Sequence, residues 1–272
     1  MLRMTTVAVA LVLSLSAAAK ARAESDDEAK TKIDEFNKAF AAKDESARVA
    51  AVEALAPVMN ASVSKVLAGL LARDTQDVRI AAAKALGRVA DDAAITGLSG
   101  AIEANKKMPE VQKAILSALG STDSEKALPA IHKMFDKYKD GVAAAAVDAA
   151  DKICSPASID VLMEVFHKAD LEKAKASGAS GSNQDTPNRD IEDLFDPTKK
   201  TLGDITGGSE VSYKGWKEWY KKEGGKLKWT SVYWCPGTQK EFDVAPGAQK
   251  LCPNDGDKVK GCGVFLKKKP AP

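Results

Sequence analysis

The chain has 272 residues, of which 44% are hydrophobic, 29% charged and only 6% aromatic. That balance supplies a globular core and excludes a disordered or collagen-like chain and a polytopic membrane protein. Lys and Arg number 40 and Asp and Glu 38, scattered along the chain, so no single-sign field points to nucleic acid or to an acidic substrate.

Residues 1–23 read as a secretory signal peptide: Arg3, an apolar run from Val7 to Leu15, then small residues ending in the A-x-A site Ala21-Arg22-Ala23. Ala17-Ala18-Ala19 offers a second such site, which leaves cleavage after Ala19 or after Ala23 open. The apolar run falls short of the roughly 20 residues that cross a bilayer, so no stable membrane insertion is expected after cleavage. The expected compartment is periplasmic or extracellular, where thiols tend to pair. Removing residues 1–23 takes away Arg3, Lys20 and Arg22 and no acid, which leaves the mature chain nearly neutral.

Between Glu28 and Lys175 the sequence repeats. The segment from Ala47 to Leu55 returns at Val78 to Leu86, at Val111 to Leu119 and at Val142 to Ala150. Leu55, Leu86, Leu119 and Ala150 are spaced by 31, 33 and 31 residues. An independent set, Phe40, Leu71, Ile102, Phe135 and Phe166, is spaced by 31, 31, 33 and 31, so two registers stretch at the same place. Each repeat predicts two helices. Val63, Val66, Leu67, Leu70 and Leu71 form a helical apolar stripe in a first helix; Val78, Ala82, Ala85, Leu86 and Val89 form one in a second. Alanine crowds the second helices, as expected of helices packed between neighbouring layers. Asp44, Asp77, Glu110 and Asp140 stand at or near the second-helix starts, where carboxylates satisfy open N–H groups, and Gly87 and Gly120 stand towards their ends.

The run from Asp77 to Gly87 resembles the D-x-x-V-R-x-x-A-A-x-A-L-G second helix of HEAT repeats, and Ala127-Leu128-Pro129-Ala130-Ile131 resembles their A-L-P-A-L first helix. Pro129 is tolerable in that opening turn because its missing N–H would be unpaired anyway. The resemblance covers about half the chain. It implies a mainly α fold, a right-handed α-solenoid of HEAT-like helix pairs over residues 24–175, of an exported bacterial type, serving as a protein-binding scaffold. Gln112 and Ala143 replace the repeat-matched arginine in the last two copies, so any ladder between repeats is incomplete. Arg48 and Arg79 have two readings: they grip an acidic partner, or they bond acids of adjacent turns such as Asp44 and Asp77 and so serve the stack. Lys84, Arg88, Lys113 and Lys152, with Glu53, form a ridge that is either a partner face or a solvated surface.

A further second helix falls due near Gly181, where the sequence is glycine and serine, so the solenoid is expected to end there and its last layer to need a cover. Residues 176–210 read as a flexible linker, with a short helix around Ile191, Leu194 and Phe195 stopped by Pro197. Residues 211–272 read as a small module with short β-strands; all four Trp lie in it. Trp216, Trp219 and Tyr220 share one helix face, flanked by Lys214, Lys217, Lys221 and Lys222. That face suits packing against the solenoid, a partner contact, or a membrane surface. From Lys226 to Trp234 the pattern alternates like a strand.

Tyr233-Trp234-Cys235-Pro236, Pro246-Gly247, Cys252-Pro253 and Cys262-Gly263-Val264-Phe265-Leu266 resemble a heavy-metal-binding module. The family's Met and His are replaced by Gly237 and Thr238, its second Met by Val264, and Cys252 and Cys262 stand too far apart. Two readings follow for Cys235, Cys252 and Cys262: a disulfide stapling a small module, or a zinc-ribbon-like site for zinc or another soft metal, completed by Asp255, Asp257 or water. Cys154 reads as a small buried apolar residue.

No metal-protease, nucleophile-elbow, phosphate-loop or dinucleotide motif occurs, and the two histidines, His132 and His167, are out of repeat register. Some phycobilin lyases also use HEAT-like helices, but that is analogy of fold alone. The sequence therefore predicts no catalysis and no cofactor. It predicts an exported scaffold for a protein partner, with metal handling by the C-terminal cysteines as the alternative.

Overall fold

The computed structural model describes residues 26–41, 44–58, 60–177, 186–226, 229–234, 241–243 and 267–270. Residues 26–40 form α1. It is followed by α2 (Glu45–Leu55), α3 (Ala61–Leu70), α4 (Gln76–Val89), α5 (Asp92–Ala104) and α6 (Pro109–Ser121). Then come α7 (Leu128–His132), α8 (Val142–Ile153) and α9 (Ile159–Ala176). Local chemistry sets the starts: Asp44, Asn60 and Asp91 each occupy an N-cap and accept a backbone N–H of the first turn. Pro109 and Pro129 sit in opening turns, where no N–H is needed. Asp140 departs from the expected capping role. It takes a left-handed φ of 58°, and Gly141, at φ 73°, stands at the N-cap of α8.

The helices pair into layers, α3 with α4, α5 with α6 and α7 with α8, and α1 precedes α2 with the Arg48 guanidinium over its Phe40 ring. Second helices stack on second helices, α2 on α4, α4 on α6 and α6 on α8, while α3 lies on α5. Leu55, Leu86, Leu119 and Ala150 are buried, as are Leu71, Ile102, Phe135 and Phe166, while Phe40, the first anchor of the second set, packs against the core only partly buried. Gly87 and Gly120 lie in the last turns of α4 and α6, as expected, though Ala90 and Thr122 hold the C-caps. Their role is steric. A Cβ on Gly87 would sit 2.9 Å from Ala118 Cα, and one on Gly120 would sit 2.8 Å from Ala149 Cα.

The stack does not end at residue 175. Residues 186–210, expected as part of a flexible linker, hold α10 (Arg189–Glu192) and α11 (Phe195–Thr206). Leu194, Phe195, Leu202 and Ile205 are buried, and α11 packs on both α8 and α9, the place a fifth second helix would take. The Phe166 and Phe195 rings lie 4.8 Å apart across this pair. Pro197 does not stop a helix, because it falls in the first turn of α11, where its missing N–H leaves nothing unpaired.

The cover over the last layer is α12 (Tyr213–Glu223), whose Ser212 N-cap accepts from the Gly215 N–H. Its aromatic face turns inward onto α9. Trp216 is only 1% exposed, Tyr213 stacks on His167 with ring centroids 4.0 Å apart, and the Tyr213 N–H donates to Asp170 Oδ2 at 3.0 Å. Gly208 lets the Trp216 ring close down on the chain, since a Cβ there would lie 2.8 Å from Cζ3. Farther on, β1 (Trp229–Trp234) runs antiparallel to both β2 (Glu241–Asp243) and β3 (Lys267–Pro270). Cys235, Cys252 and Cys262 lie outside the described residues, as do residues 1–25. Among the described residues no helix is long and apolar enough to cross a membrane.

Gly120→Ala and Gly87→Ala are expected to destabilise the fold by about 1–3 kcal/mol each, because the added methyl meets backbone rather than a movable side chain. Gly100→Ala, with nothing within 4 Å of the added carbon, is expected to stabilise α5 by about 0.5–1 kcal/mol. Urea midpoints of the three variants test this directly.

Candidate functional site

Once alanine and glycine face the neighbouring layers and the apolar stripe faces inward, the remaining second-helix positions point to solvent in repeat register. Lys84 and Arg88, four residues apart on α4, are exposed and make no ion pair among the described residues. Lys113 Nζ lies 2.6 Å from Glu110 Oε1 on its own helix. Lys152 Nζ reaches back one layer and donates to Ser117 Oγ at 3.1 Å. Burial lowers the Lys152 pKa, against the raising influence of Asp148 and Asp151. In the last layer, Lys200 binds Asp151 at 3.0 Å and Asp204 at 2.7 Å. Burial works against its charge, but Asp204 and Asp151 outweigh it and hold its pKa above the ordinary lysine value. Lys113 and Lys200 are thus answered by nearby carboxylates, while Lys84 and Arg88 on α4 make no ion pair among the described residues.

Arg48 and Arg79 serve the stack: hydrogen bonds from Ser46 and Ala47, with help from the Arg48 charge, hold the Asp44 pKa below its ordinary value, but the hydrogen bonds between layers go to other acceptors. Arg48 Nη2 donates to Asp74 Oδ1 at 2.9 Å, in the turn before α4. Arg79 Nε donates to the Asp74 carbonyl at 2.7 Å, and its Nη1 to Asn105 Oδ1 at 2.8 Å, one layer on. Asn105 is buried, and its Nδ2 bridges the Leu71 and Ala101 carbonyls. The result is a ladder along one edge of the first three layers. Both rungs join residues 26 apart, and Asp74 and Asn105 stand one repeat apart as their arginines do. That shared offset is the signal in the sequence that would have found the two acceptors. At the next position Gln112 is also buried, but its Nε2 donates to the Ile102 carbonyl of its own layer at 3.1 Å, so the ladder stops there.

Trp216 belongs to the core, not to a surface that could take a partner, and Trp219 packs half-buried edge-on against it at 5.7 Å. His132 and His167 sit apart in different contacts. His132 Nε2 lies 2.9 Å from the buried Ser158 Oγ, between the fourth and fifth layers, and burial lowers its pKa. Cys154 is buried at the end of α8 with φ 50°, its Sγ 3.8 Å from the Asp204 carbonyl. Among the described residues no three His, Cys, Asp or Glu side chains gather as a metal site.

Residues 102–181 match the family of HEAT repeats, and residues 78–103 match the PBS lyase HEAT-like repeat. Residues 78–181, from α4 to just past α9, are thus similar to HEAT repeats. No curated protein matches the chain. The matched stretch takes in the α4 face and the edge ladder of the second and third layers. HEAT repeats generally mediate protein–protein interactions.

Asn105→Ala is expected to cost about 1–3 kcal/mol, because it strips an acceptor from Arg79 and donors from two buried carbonyls; urea unfolding reads this. His132 is neutral in the fold more readily than in the open chain. Its contribution to stability is therefore full above the unfolded value of 6.5 and is lost as pH falls from there towards the lowered folded value. His132→Gln, compared with the parent protein in urea titrations at neutral pH and at pH 5, is expected to flatten that part of the profile.

Proposed function

We propose that this chain is a non-catalytic, exported scaffold that holds a protein partner against the second-helix face of its HEAT stack. The observation that carries the reading is the exposed pair Lys84 and Arg88 on α4, within the matched repeats, while Lys113, Lys152 and Lys200 on the later second helices are engaged by their own neighbours. Two cations one helical turn apart attract an acidic patch, steer its approach and set its register more than they add affinity. The surrounding helices supply a surface that keeps its shape, since their close stacking leaves little freedom to adjust. Export is supported by the order Arg3, apolar run, Ala21-Arg22-Ala23 at the N-terminus.

Affinity capture with the mature chain from the exported fraction of its native host tests the reading. Lys84→Glu with Arg88→Glu is expected to lower capture of the dominant partner at least tenfold while leaving the urea midpoint within the range of ordinary surface changes. Unchanged capture would remove the α4 face from the account. Intact mass of the exported protein is expected to show the chain starting at Glu24 or Lys20, and a retained Met1 would remove export.

A further inference from the structure

A groove of about 650 Å³ opens on the edge of the third to fifth layers, past the last rung of the arginine ladder. That size falls within the range of small-ligand sites, about 300–1,000 Å³. Gln112 of α6 lines its deepest part, since it is only 6% exposed. Its Nε2 donates to the Ile102 carbonyl at 3.1 Å, while its Oε1 accepts no hydrogen bond among the described residues and is not sealed from solvent. Nearly all buried polar groups find a partner. The open acceptor of Gln112 therefore points to a ligand in the groove.

Where the chain returns at α10, Asn188 forms another part of the wall and is held from two sides. Its N–H donates to Glu172 Oε2 at 2.8 Å, and its Oδ1 accepts the Asp190 N–H at 3.1 Å. Its Nδ2 group makes no hydrogen bond among the described residues. Tyr138 and Pro109, both half-buried, supply apolar surface.

The rim is charged and balanced. Lys106, Lys107, Lys137 and Lys139 are matched in number by Glu103, Asp136, Asp140 and Asp190. Asp136 is held by Lys168 at 3.1 Å, with the Lys137 charge nearby. Opposite charges in equal number cancel beyond a Debye length, about 8 Å at physiological salt, so the rim draws neither anions nor cations from a distance. At contact it still sets ammonium donors beside carboxylate acceptors. The ligand that answers both donates and accepts at closely spaced points and carries no net charge. A sugar hydroxyl does both from one atom, and the C–H face of a pyranose ring covers apolar surface. A neutral peptide, with its donors and acceptors fixed on alternating sides, answers the rim less completely.

We propose that this groove binds a neutral oligosaccharide, with one hydroxyl on Gln112 Oε1, another on Asn188 Nδ2 and a ring against Tyr138. The site lies apart from the α4 face and does not depend on the scaffold reading. Low local dielectric strengthens the bond at buried Gln112 over those at the rim, so Gln112 anchors the sugar and the rim selects it.

The probes are maltotriose, cellotriose and chitotriose, each titrated into the full chain by isothermal titration calorimetry. Trigalacturonate and an end-capped Asn-Ser-Val-Asn-Ser-Val-Asn peptide are run beside them. Saturable binding of at least one neutral trisaccharide is expected, changed less than twofold by added salt. Gln112→Leu is expected to weaken it at least tenfold, and Asn188→Ser, which keeps an oxygen for the start of α10, at least threefold. Circular dichroism confirms that each variant keeps its helices; Asn188→Ser, on the surface, decides alone if Gln112→Leu does not fold. No binding of any trisaccharide, equal or tighter binding of trigalacturonate or of the peptide, a steep fall of affinity with salt, or unchanged affinity in a folded variant would each overturn the proposal. None of these outcomes bears on partner capture through Lys84 and Arg88.

Discussion

How near two consecutive second helices can come governs the rest of this molecule. Gly87 meets Ala118 and Gly120 meets Ala149 with no room for one more carbon. The bulky side chains Leu86, Leu119 and Phe135 are buried in the core beside these thin contacts. Small residues between layers and large ones within the core divide the work of packing. Dispersion needs such contact distances, and even a small gap forfeits much of the attraction. A row of second helices held this closely keeps its outward side chains in fixed register, and a surface built on it inherits that order.

The ends of such a stack need separate treatment, because a layer with no neighbour exposes its apolar side. The last layer is completed by α11 and then covered by α12, whose Trp216 and Tyr213 turn onto α9 while its lysines stay outside. The first layer presents a polar outer row on α1, including Asp27, Lys30 and Asp34, with Phe36 turned inward. Between these ends the layers are tied unevenly along their edges. Arg48 and Arg79 cross-link the first three on one edge, while Lys126 with Asp92 and Ser155 with Glu125 link the third to fifth layers elsewhere. The exposed pairs add little stability and the buried Asn105 network adds more.

Much of this was legible in the sequence because the information is local. A helical stripe such as Val63, Leu67 and Leu71 announces itself within ten residues, and repetition multiplies the signal. The partners of Arg48 and Arg79 were not found, since nearby acids such as Asp44 and Asp77 look equally suitable until the repeat offset is applied to the acceptors as well as the donors. The helix α11 escaped because a Ser/Gly-rich stretch breaks the register and Pro197 carries the same letter whether it opens a helix or ends one. The reading of Cys235, Cys252 and Cys262 concerns residues outside those described, so it stands on sequence alone.

The first four layers are each made of helices adjacent along the chain, whereas α9 meets its second helix only after the interruption that precedes α10. Closing a longer loop costs more entropy before any contact rewards it. The local layers therefore have the kinetic advantage, and docking of α11, then α12, comes late. Synthesis from the N-terminus strengthens that order, since α9 emerges before the segments that shield it. The flank of α9 is then the last apolar surface to be hidden during assembly, and the interval before α11 arrives is when a nascent chain is most open to capture by a chaperone or by another copy.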